Sequence, residues 1–166
     1  IVGQYAVGLL LEICSRCGHH SDTVRQGKWE SNVDWCYWDY PLIELDGKTL
    51  GIIGYGRIGQ AFGRMAEAMG MKLIVNSRNP KPEWETETCR YGTLEEIYAE
   101  ADVISLHCPL TDETKHMFDA AAIEKCKKGV VLINTSRGAL VDAEALLSGI
   151  KARSVGAACL DVYEEE

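Results

Sequence analysis

The chain has 166 residues, of which 46% are hydrophobic and 25% charged, and its formal net charge is −8. This length suffices for one well-packed domain and is short for two. The acidic balance argues against a nucleic-acid partner, because phosphate binding requires a basic surface. The longest apolar runs, such as residues 130–133, are far too short to span a membrane, so we expect no membrane partner.

Seven cysteines are many for this length, and they are odd in number and lack paired spacing. Secreted disulfide frameworks have even, regularly spaced cysteines, so we predict reduced thiols and a cytoplasmic protein. Two cysteines and two histidines lie close together in the sequence, at Cys14, Cys17, His19 and His20. A structural zinc site needs a second ligand pair across a turn, and we therefore predict no metal site.

Both ends of the sequence look interrupted. The first residue is Ile1 rather than methionine, and residues 3–14 already show helical periodicity. At the other end, residues 164–166 directly follow an apolar run. We expect the sequence to be a piece of a longer protein.

Residues 1–46 precede the first predicted strand. Apolar residues at helical spacing predict an amphipathic helix over residues 3–18. Residues 22–46 have no regular pattern and are rich in aromatic residues, namely Trp29, Trp35, Tyr37, Trp38 and Tyr40. Because aromatic side chains are enriched at interfaces, we predict that residues 1–46 form a dimerisation or interdomain region.

From residue 47 onward, short apolar strands alternate with helices. The predicted strands are residues 49–53, 72–76, 103–106, 129–134 and 155–160, and the predicted helices are residues 57–69, 94–100, 120–125 and 143–147. Strands that are apolar throughout are typical of a parallel sheet covered on both faces. With right-handed crossovers, residues 47–166 are predicted to form an α/β fold, a doubly wound parallel sheet of the Rossmann type.

A glycine-rich turn follows the first predicted strand and opens the next helix. Gly54 permits the tight turn, Gly56 lets a pyrophosphate approach the backbone, and Gly59 allows close packing of helix and strand. The amide groups of Arg57 and Ile58 are then expected to face the phosphates. This context predicts a dinucleotide-binding site rather than a plain tight turn.

The residues after the second predicted strand bear on the choice of cofactor. A carboxylate at position 77 would bind the ribose hydroxyls of NAD and repel a 2′-phosphate. Ser77 removes that repulsion, and Arg78 offers planar hydrogen-bond donors that suit a phosphate. The pair favours NADP(H) over NAD. The alternative is a solvated arginine in an NAD-binding protein.

Three further stretches carry a family resemblance. Residues 105–111 (SLHCPLT), 131–138 (VLINTSRG) and 156–166 (GAACLDVYEEE) resemble the D-2-hydroxyacid dehydrogenase family. The similarity runs from residue 3 to the last residue. The stretches LLLEIC and DWCYWDYPLIELDGKTLGIIG look most like the glycerate dehydrogenase (hydroxypyruvate reductase) branch.

The resemblance implies roles for individual residues. Arg137 would hold the carboxylate and carbonyl oxygens of the substrate, and Glu166 would bond the catalytic histidine. Asp161 would contact the nicotinamide carboxamide. The other positions that match cofactor-contacting residues of the family are Cys108, Pro109, Thr135 and Ser136, together with Arg137 itself.

The sequence also departs from the family pattern. The acid–base histidine of the family follows the glutamate, beyond a further strand, and this sequence ends before that point. None of the four histidines, His19, His20, His107 and His116, occupies that position, and we predict a structural role for His107. Most of the substrate-binding domain is absent as well. We expect a cofactor-binding fragment that is inactive alone.

For the intact protein, the resemblance implies an NAD(P)-dependent dehydrogenase that transfers a hydride between NAD(P)H and a 2-oxo or 2-hydroxy acid. Hydroxypyruvate and glycerate are the favoured pair, with glyoxylate as a second substrate. The resemblance also implies a homodimer. A non-catalytic dinucleotide sensor or a corepressor-like protein on the same fold stays open as an alternative, because a fold does not decide a function.

Overall fold

The computed structural model describes residues 1–165. Within these residues six parallel strands form one sheet, in the order β3-β2-β1-β4-β5-β6. The strands are β1 (Thr49–Ile53), β2 (Lys72–Asn76), β3 (Cys89–Tyr91), β4 (Val103–Leu106), β5 (Val130–Asn134) and β6 (Val155–Leu160). The order reverses between β1 and β4, and ligands of such sheets bind at the carboxyl ends of the strands beside this point. The predicted doubly wound sheet of the Rossmann type is confirmed.

Helices cover both faces of the sheet. They are α1 (Val2–Ser15), α2 (Cys17–Arg25), α3 (Lys28–Ser31), α4 (Arg57–Ala68), α5 (Leu94–Glu100), α6 (Ala120–Lys125) and α7 (Ala143–Lys151). One apolar cluster joins the sheet to α1 and α4, and a second joins its other face to α5, α6 and α7. Because both faces are covered, all residues of β4 and β5 are buried.

Side chains cap three of the helices. The Thr93 hydroxyl accepts a hydrogen bond from the Glu96 amide at 3.2 Å, and the Glu96 carboxylate accepts one from the Thr93 amide at 2.8 Å. Asp119 and Asp142 cap α6 and α7 by accepting from backbone amides at 2.8 and 3.0 Å. These bonds satisfy amide groups that have no partner within the helix.

Two predictions in the sheet region need correction. The prediction of five strands misses β3, which has three residues and buries only Cys89, so it carries no apolar run. The helix predicted to end at residue 147 continues to Lys151, because Gly149 packs against Val155 and Ile123 within the core.

The N-terminal prediction also needs correction. The helix predicted over residues 3–18 ends at Ser15, where Arg16 adopts a left-handed conformation with φ of 47° and its amide bonds the Glu12 carbonyl at 2.8 Å. A second helix, α2, begins at Cys17. Residues 22–46, predicted to be irregular, therefore include the end of α2 and all of α3. None of the helices within residues 1–165 is long and apolar enough to cross a bilayer.

Candidate functional site

A cleft of about 410 Å³ opens at the carboxyl ends of β1, β2 and β4, where the strand order reverses. Six of the predicted cofactor positions line it, namely Gly54, Gly56, Ser77, Arg78, Cys108 and Pro109. The sheet topology thus brings together residues from three separate strand ends. This placement is where open α/β sheets bind their ligands.

The first glycine of the turn is fixed by its neighbours. Gly54 has φ of 100°, and a Cβ there would lie 2.4 Å from the carbonyl carbon of His107. Both the conformation and the close approach exclude a side chain. The amides of Gly54 and Tyr55 donate to the Asn76 carbonyl at 2.9 and 3.1 Å, which ties the turn to the end of β2.

The other two glycines differ from each other in their surroundings. A Cβ at Gly59 would lie 2.4 Å from the Gly54 carbonyl oxygen, so this glycine allows α4 to pack on the turn. A Cβ at Gly56 would meet nothing within 4 Å. Gly56 therefore borders open space beside the cleft, which leaves room for a ligand to approach the backbone.

The beginning of α4 faces the same cleft. Its first internal hydrogen bond runs from the Gln60 amide to the Gly56 carbonyl at 2.9 Å. The amides of Arg57, Ile58 and Gly59 thus have no acceptor inside the helix. Free amides and the helix dipole at this point suit an anionic group, and a dinucleotide diphosphate fits them.

Ser77 and Arg78 follow β2 on the outer wall of the cleft. The Ser77 hydroxyl accepts a hydrogen bond from the Asn79 amide at 3.4 Å. Burial raises the pKa of the Cys108 thiol, and the positive charge of Arg78 partly opposes that rise. Arg78 therefore adds positive charge to the cleft that it lines.

His107 directly follows β4, and its partly buried side chain borders the cleft. Its Nε2 lies 2.9 Å from the Ser105 hydroxyl, and its ring packs edge-on against Phe62 with centroids 5.9 Å apart. Burial lowers the pKa of His107 to about 4, so the imidazole is neutral at physiological pH. These contacts are those of a structural residue, in agreement with the sequence-based expectation.

The loop after β5 is held rigidly by side chains. Asn134 is fully buried, donates to the Arg137 carbonyl at 2.9 Å and accepts from the Ser136 amide at 3.0 Å. The Ser136 hydroxyl donates to the Leu106 carbonyl at 2.8 Å. Arg137 itself is exposed, and its Nη1 donates to the Ser136 carbonyl at 2.7 Å. A fixed backbone thus presents an exposed guanidinium group, which suits the binding of a carboxylate.

The remaining predicted site residues lie near this loop. The Asp161 amide donates to the Asn134 carbonyl at 3.0 Å, which places Asp161 just beyond β6 with an exposed side chain. The Thr135 hydroxyl is buried and has no hydrogen-bond partner within residues 1–165. Glu166 lies outside the described residues. The predicted roles of all these residues stay predictions.

Several residues of the site were not predicted. Asn76 and Asn134 each end a strand and hold a turn, and their signal is a polar residue closing an apolar run. Other residues that line the cleft come from loops or from the beginning of α5 and have no such signal, namely Tyr55, Asn79, Leu94, Thr111, Glu113, Thr114 and Met117. In the described part of the chain, no three His, Cys, Asp or Glu side chains are grouped to hold a metal ion.

Comparison with known proteins adds to this geometry. Residues 7–166 match the model of the D-isomer specific 2-hydroxyacid dehydrogenase family, NAD binding domain. A hydroxypyruvate reductase from Blautia hydrogenotrophica is 53% identical over 99% of this chain and 51% of its own length. A glyoxylate reductase from Thermococcus litoralis is 46% identical over 97% of this chain and 49% of its own length. The chain spans about half the length of these curated relatives.

Solved structures agree with the sequence relatives. The apo-structure of D-lactate dehydrogenase from Escherichia coli matches with a TM-score of 0.88 and 34% identity, over 99% of this chain and 51% of that chain. The pyruvate reductase of Chlamydomonas reinhardtii matches with a TM-score of 0.89 and 34% identity, over 99% and 47% of the two chains.

Proposed function

This chain belongs to the D-isomer specific 2-hydroxyacid dehydrogenase family as its NAD(P)-binding domain, and we propose that the complete protein reduces a small 2-oxo acid with NADPH. The favoured substrate is hydroxypyruvate, with glycerate as product, and glyoxylate is the second. The similarity to a hydroxypyruvate reductase and to a glyoxylate reductase supports this choice.

The observation that carries the proposal is that two features lie at the same edge of the sheet, where the strands have their carboxyl ends. One is the glycine turn with the free amides of Arg57 and Ile58, which suits a diphosphate. The other is Arg137 on its fixed loop. Together they would place a coenzyme and a 2-oxo acid side by side.

Each residue has a proposed part in the reaction. The nicotinamide, when bound, supplies the hydride. Arg137 would hold the substrate carboxylate and polarise its carbonyl group. Asp161 would bond the nicotinamide carboxamide, and Glu166 would raise the basicity of the acid–base histidine that the family carries beyond this segment. Contacts to the coenzyme, mainly through the backbone, would come from Cys108, Pro109, Thr135 and Ser136.

The coenzyme preference rests on the loop after β2. Ser77 carries no negative charge, and Arg78 brings a guanidinium to the same wall of the cleft. A 2′-phosphate would be attracted there rather than repelled. This supports NADP(H) over NAD.

Titration of NADPH and NADH against the wild type and Arg78→Ala tests the preference. We expect tighter binding of NADPH in the wild type and a loss of about tenfold or more for NADPH alone in the variant, because a charge-assisted bond is removed. Lys81→Ala is the matched control, since it removes a positive charge from the same loop. The Lys81 ammonium group lies over the Trp84 ring, 4.6 Å from its centroid. Equal affinities in the wild type would contradict the preference.

Turnover by the complete protein tests the reaction. We expect oxidation of NADPH with hydroxypyruvate, and a far larger loss of turnover than of coenzyme binding in Arg137→Ala, because this residue would act on the substrate. Absence of turnover with hydroxypyruvate and glyoxylate, together with coenzyme-dependent binding of a protein partner, would instead favour a dinucleotide sensor.

We also propose that residues 1–46 form the dimerisation region of a homodimer. The aromatic arm, residues 32–42, leaves Trp35 and Trp38 88% and 65% exposed. The arm is nevertheless anchored, because Asp39 lies 2.7 Å from the His19 ring and the Tyr37 hydroxyl lies 2.8 Å from that of Thr23. An ordered segment with exposed tryptophans is typical of a protein interface.

A further inference from the structure

Two loops are joined through their backbones beside Arg137. The His116 amide donates to the Ala139 carbonyl at 2.8 Å, and the Phe118 amide donates to the Leu140 carbonyl at 3.1 Å. Phe118 also forms an isolated parallel bridge with Val141. The loop before α6 is therefore fixed against the loop that carries Arg137.

A third segment, the tail at residues 161–165, lies against the same loop. A Cβ at Gly138 would lie 1.8 Å from the Tyr163 carbonyl oxygen and 2.4 Å from the Glu164 amide nitrogen. The backbone of the tail is thus in direct contact with the residue after Arg137. Only glycine permits so close an approach.

The tail is attached at both of its ends. At the beginning, the Asp161 amide donates to the Asn134 carbonyl at 3.0 Å. Near the other end, the Glu164 carboxylate lies 2.5 Å from Nε2 of His116, a residue 48 positions earlier in the sequence. His116 has φ of 52°, in the left-handed region where histidine is among the enriched residues. Its side chain therefore reaches the tail from a fixed backbone.

We propose that His116 is a positioning residue for the catalytic edge, because its contact with Glu164 holds the tail against the loop of Arg137. The inference rests on the proposed function, which assigns Arg137 to the substrate and Asp161 to the coenzyme. The contact joins residues 161–165 to the loop before α6, which is itself bonded to the loop of Arg137. Without it, the tail would be held less firmly against Gly138, and Asp161 and Arg137 would be less well placed relative to each other.

The contact matters for placement more than for stability. The His116 and Glu164 side chains are 36% and 32% exposed, and ion pairs at the surface add little to the free energy of unfolding. Catalysis is more sensitive, since a displacement of about 1 Å in a reacting group can lower the rate about a hundredfold. Loss of the contact should therefore change turnover while the fold persists.

The experiment uses the complete protein with four substitutions. His116→Asn keeps a residue that tolerates the left-handed conformation but is too short to reach Glu164. His116→Gln keeps a side chain long enough to reach Glu164, and its amide group supplies an N–H donor. Glu164→Ala removes the acceptor, and Lys115→Gln is the control because it changes a charge on the adjacent exposed residue.

We expect kcat with hydroxypyruvate to fall about tenfold or more in His116→Asn and in Glu164→Ala, with KM for NADPH within about twofold of the wild type, because the glycine turn is untouched. The double variant, with His116→Asn and Glu164→Ala together, should be no slower than either single variant, since each single substitution already removes the same contact. His116→Gln should recover most of the rate, and Lys115→Gln should keep it. A wild-type rate in His116→Asn, additive losses, or no recovery in His116→Gln would overturn the proposal.

Amide hydrogen exchange gives a measurement that does not depend on turnover. The tail should exchange faster in His116→Asn than in the wild type, whereas residues 54–60 should be unchanged. Unchanged exchange in the tail would overturn the proposed contact. If the wild type oxidises no coenzyme with any 2-oxo acid, the proposed function fails, and exchange still decides the contact.

Discussion

Residues 47–165 and residues 1–46 are built differently. The first region buries its large apolar side chains in two clusters on either side of the sheet. In the second region, α1 places Ala6 and Leu10 in the core, but the aromatic arm exposes Trp35 and Trp38. The first region thus obtains its stability from packing on both faces of the sheet, and α1 contributes to one of these faces. The structure of the arm depends on a few anchoring contacts, and its apolar surface is suited to an external partner.

The largest expected effect concerns a buried histidine of the first region. The unfolded chain takes up a proton on His107 near its ordinary pKa of 6.5, whereas the folded chain does so only near a pKa of about 4. The stability contributed by the neutral form is therefore full above pH 6.5 and decreases as the pH falls to about 4, by about 3 kcal/mol at the lower end. Urea unfolding at a series of pH values measures this.

The control separates His107 from other groups that titrate in acid. His107→Gln should unfold with a flatter pH dependence between pH 6.5 and 4, because glutamine takes up no proton. The same slope in both proteins would show that burial of His107 is not the cause.

A pair of glycine substitutions gives the next largest effect, with opposite signs in the two regions. Gly54→Ala should lower the free energy of unfolding by about 2 kcal/mol, because φ of 100° and contact with the His107 backbone leave no room for a Cβ. Gly8→Ala in α1 should raise it by about 0.5–1 kcal/mol, because a Cβ there meets nothing within 4 Å and alanine favours the helix. Urea midpoints measure both, and effects of equal sign would contradict this account.

The smallest effect on unfolding is expected in the aromatic arm. Trp35→Ser should change the free energy of unfolding of the monomer by no more than about 0.5 kcal/mol, because Trp35 is 88% exposed. The same change should weaken dimerisation about tenfold or more, since interface tryptophans contribute strongly. Sedimentation velocity of the complete protein measures association, with Ile150→Ser on α7 as the exposed apolar control. A wild type that is monomeric at all concentrations would refute the dimer.

The sequence predicts the first region well because its signals are local. The strands at residues 49–53, 72–76, 103–106 and 155–160 have the predicted bounds, since each is an apolar run between turn residues. Asp119 and Asp142 cap their helices through bonds to residues three positions away. β3 was missed because an edge strand of three residues has too little buried surface to show a pattern.

The second region was predicted less well, because its structure depends on contacts between distant residues. The polar helix α2 is held by the bond between Thr23 and Tyr37, and neither residue signals a helix. The site divides in the same way. The spacing of Gly54, Gly56 and Gly59 locates the cleft, whereas the contact between His116 and Glu164 joins residues with no shared motif.

The distribution of the four tryptophans has an optical consequence. Trp29, Trp35 and Trp38 lie within residues 1–46, and Trp84 is the one tryptophan within residues 47–166. The centroids of the Trp84 and Tyr55 rings lie 5.9 Å apart, and Tyr55 is part of the glycine turn. Emission from Trp84 should therefore respond when the cleft fills, and emission from the other three should respond when subunits associate. If the cleft binds a coenzyme and the subunits associate as proposed, the two groups of tryptophans would report the two events separately.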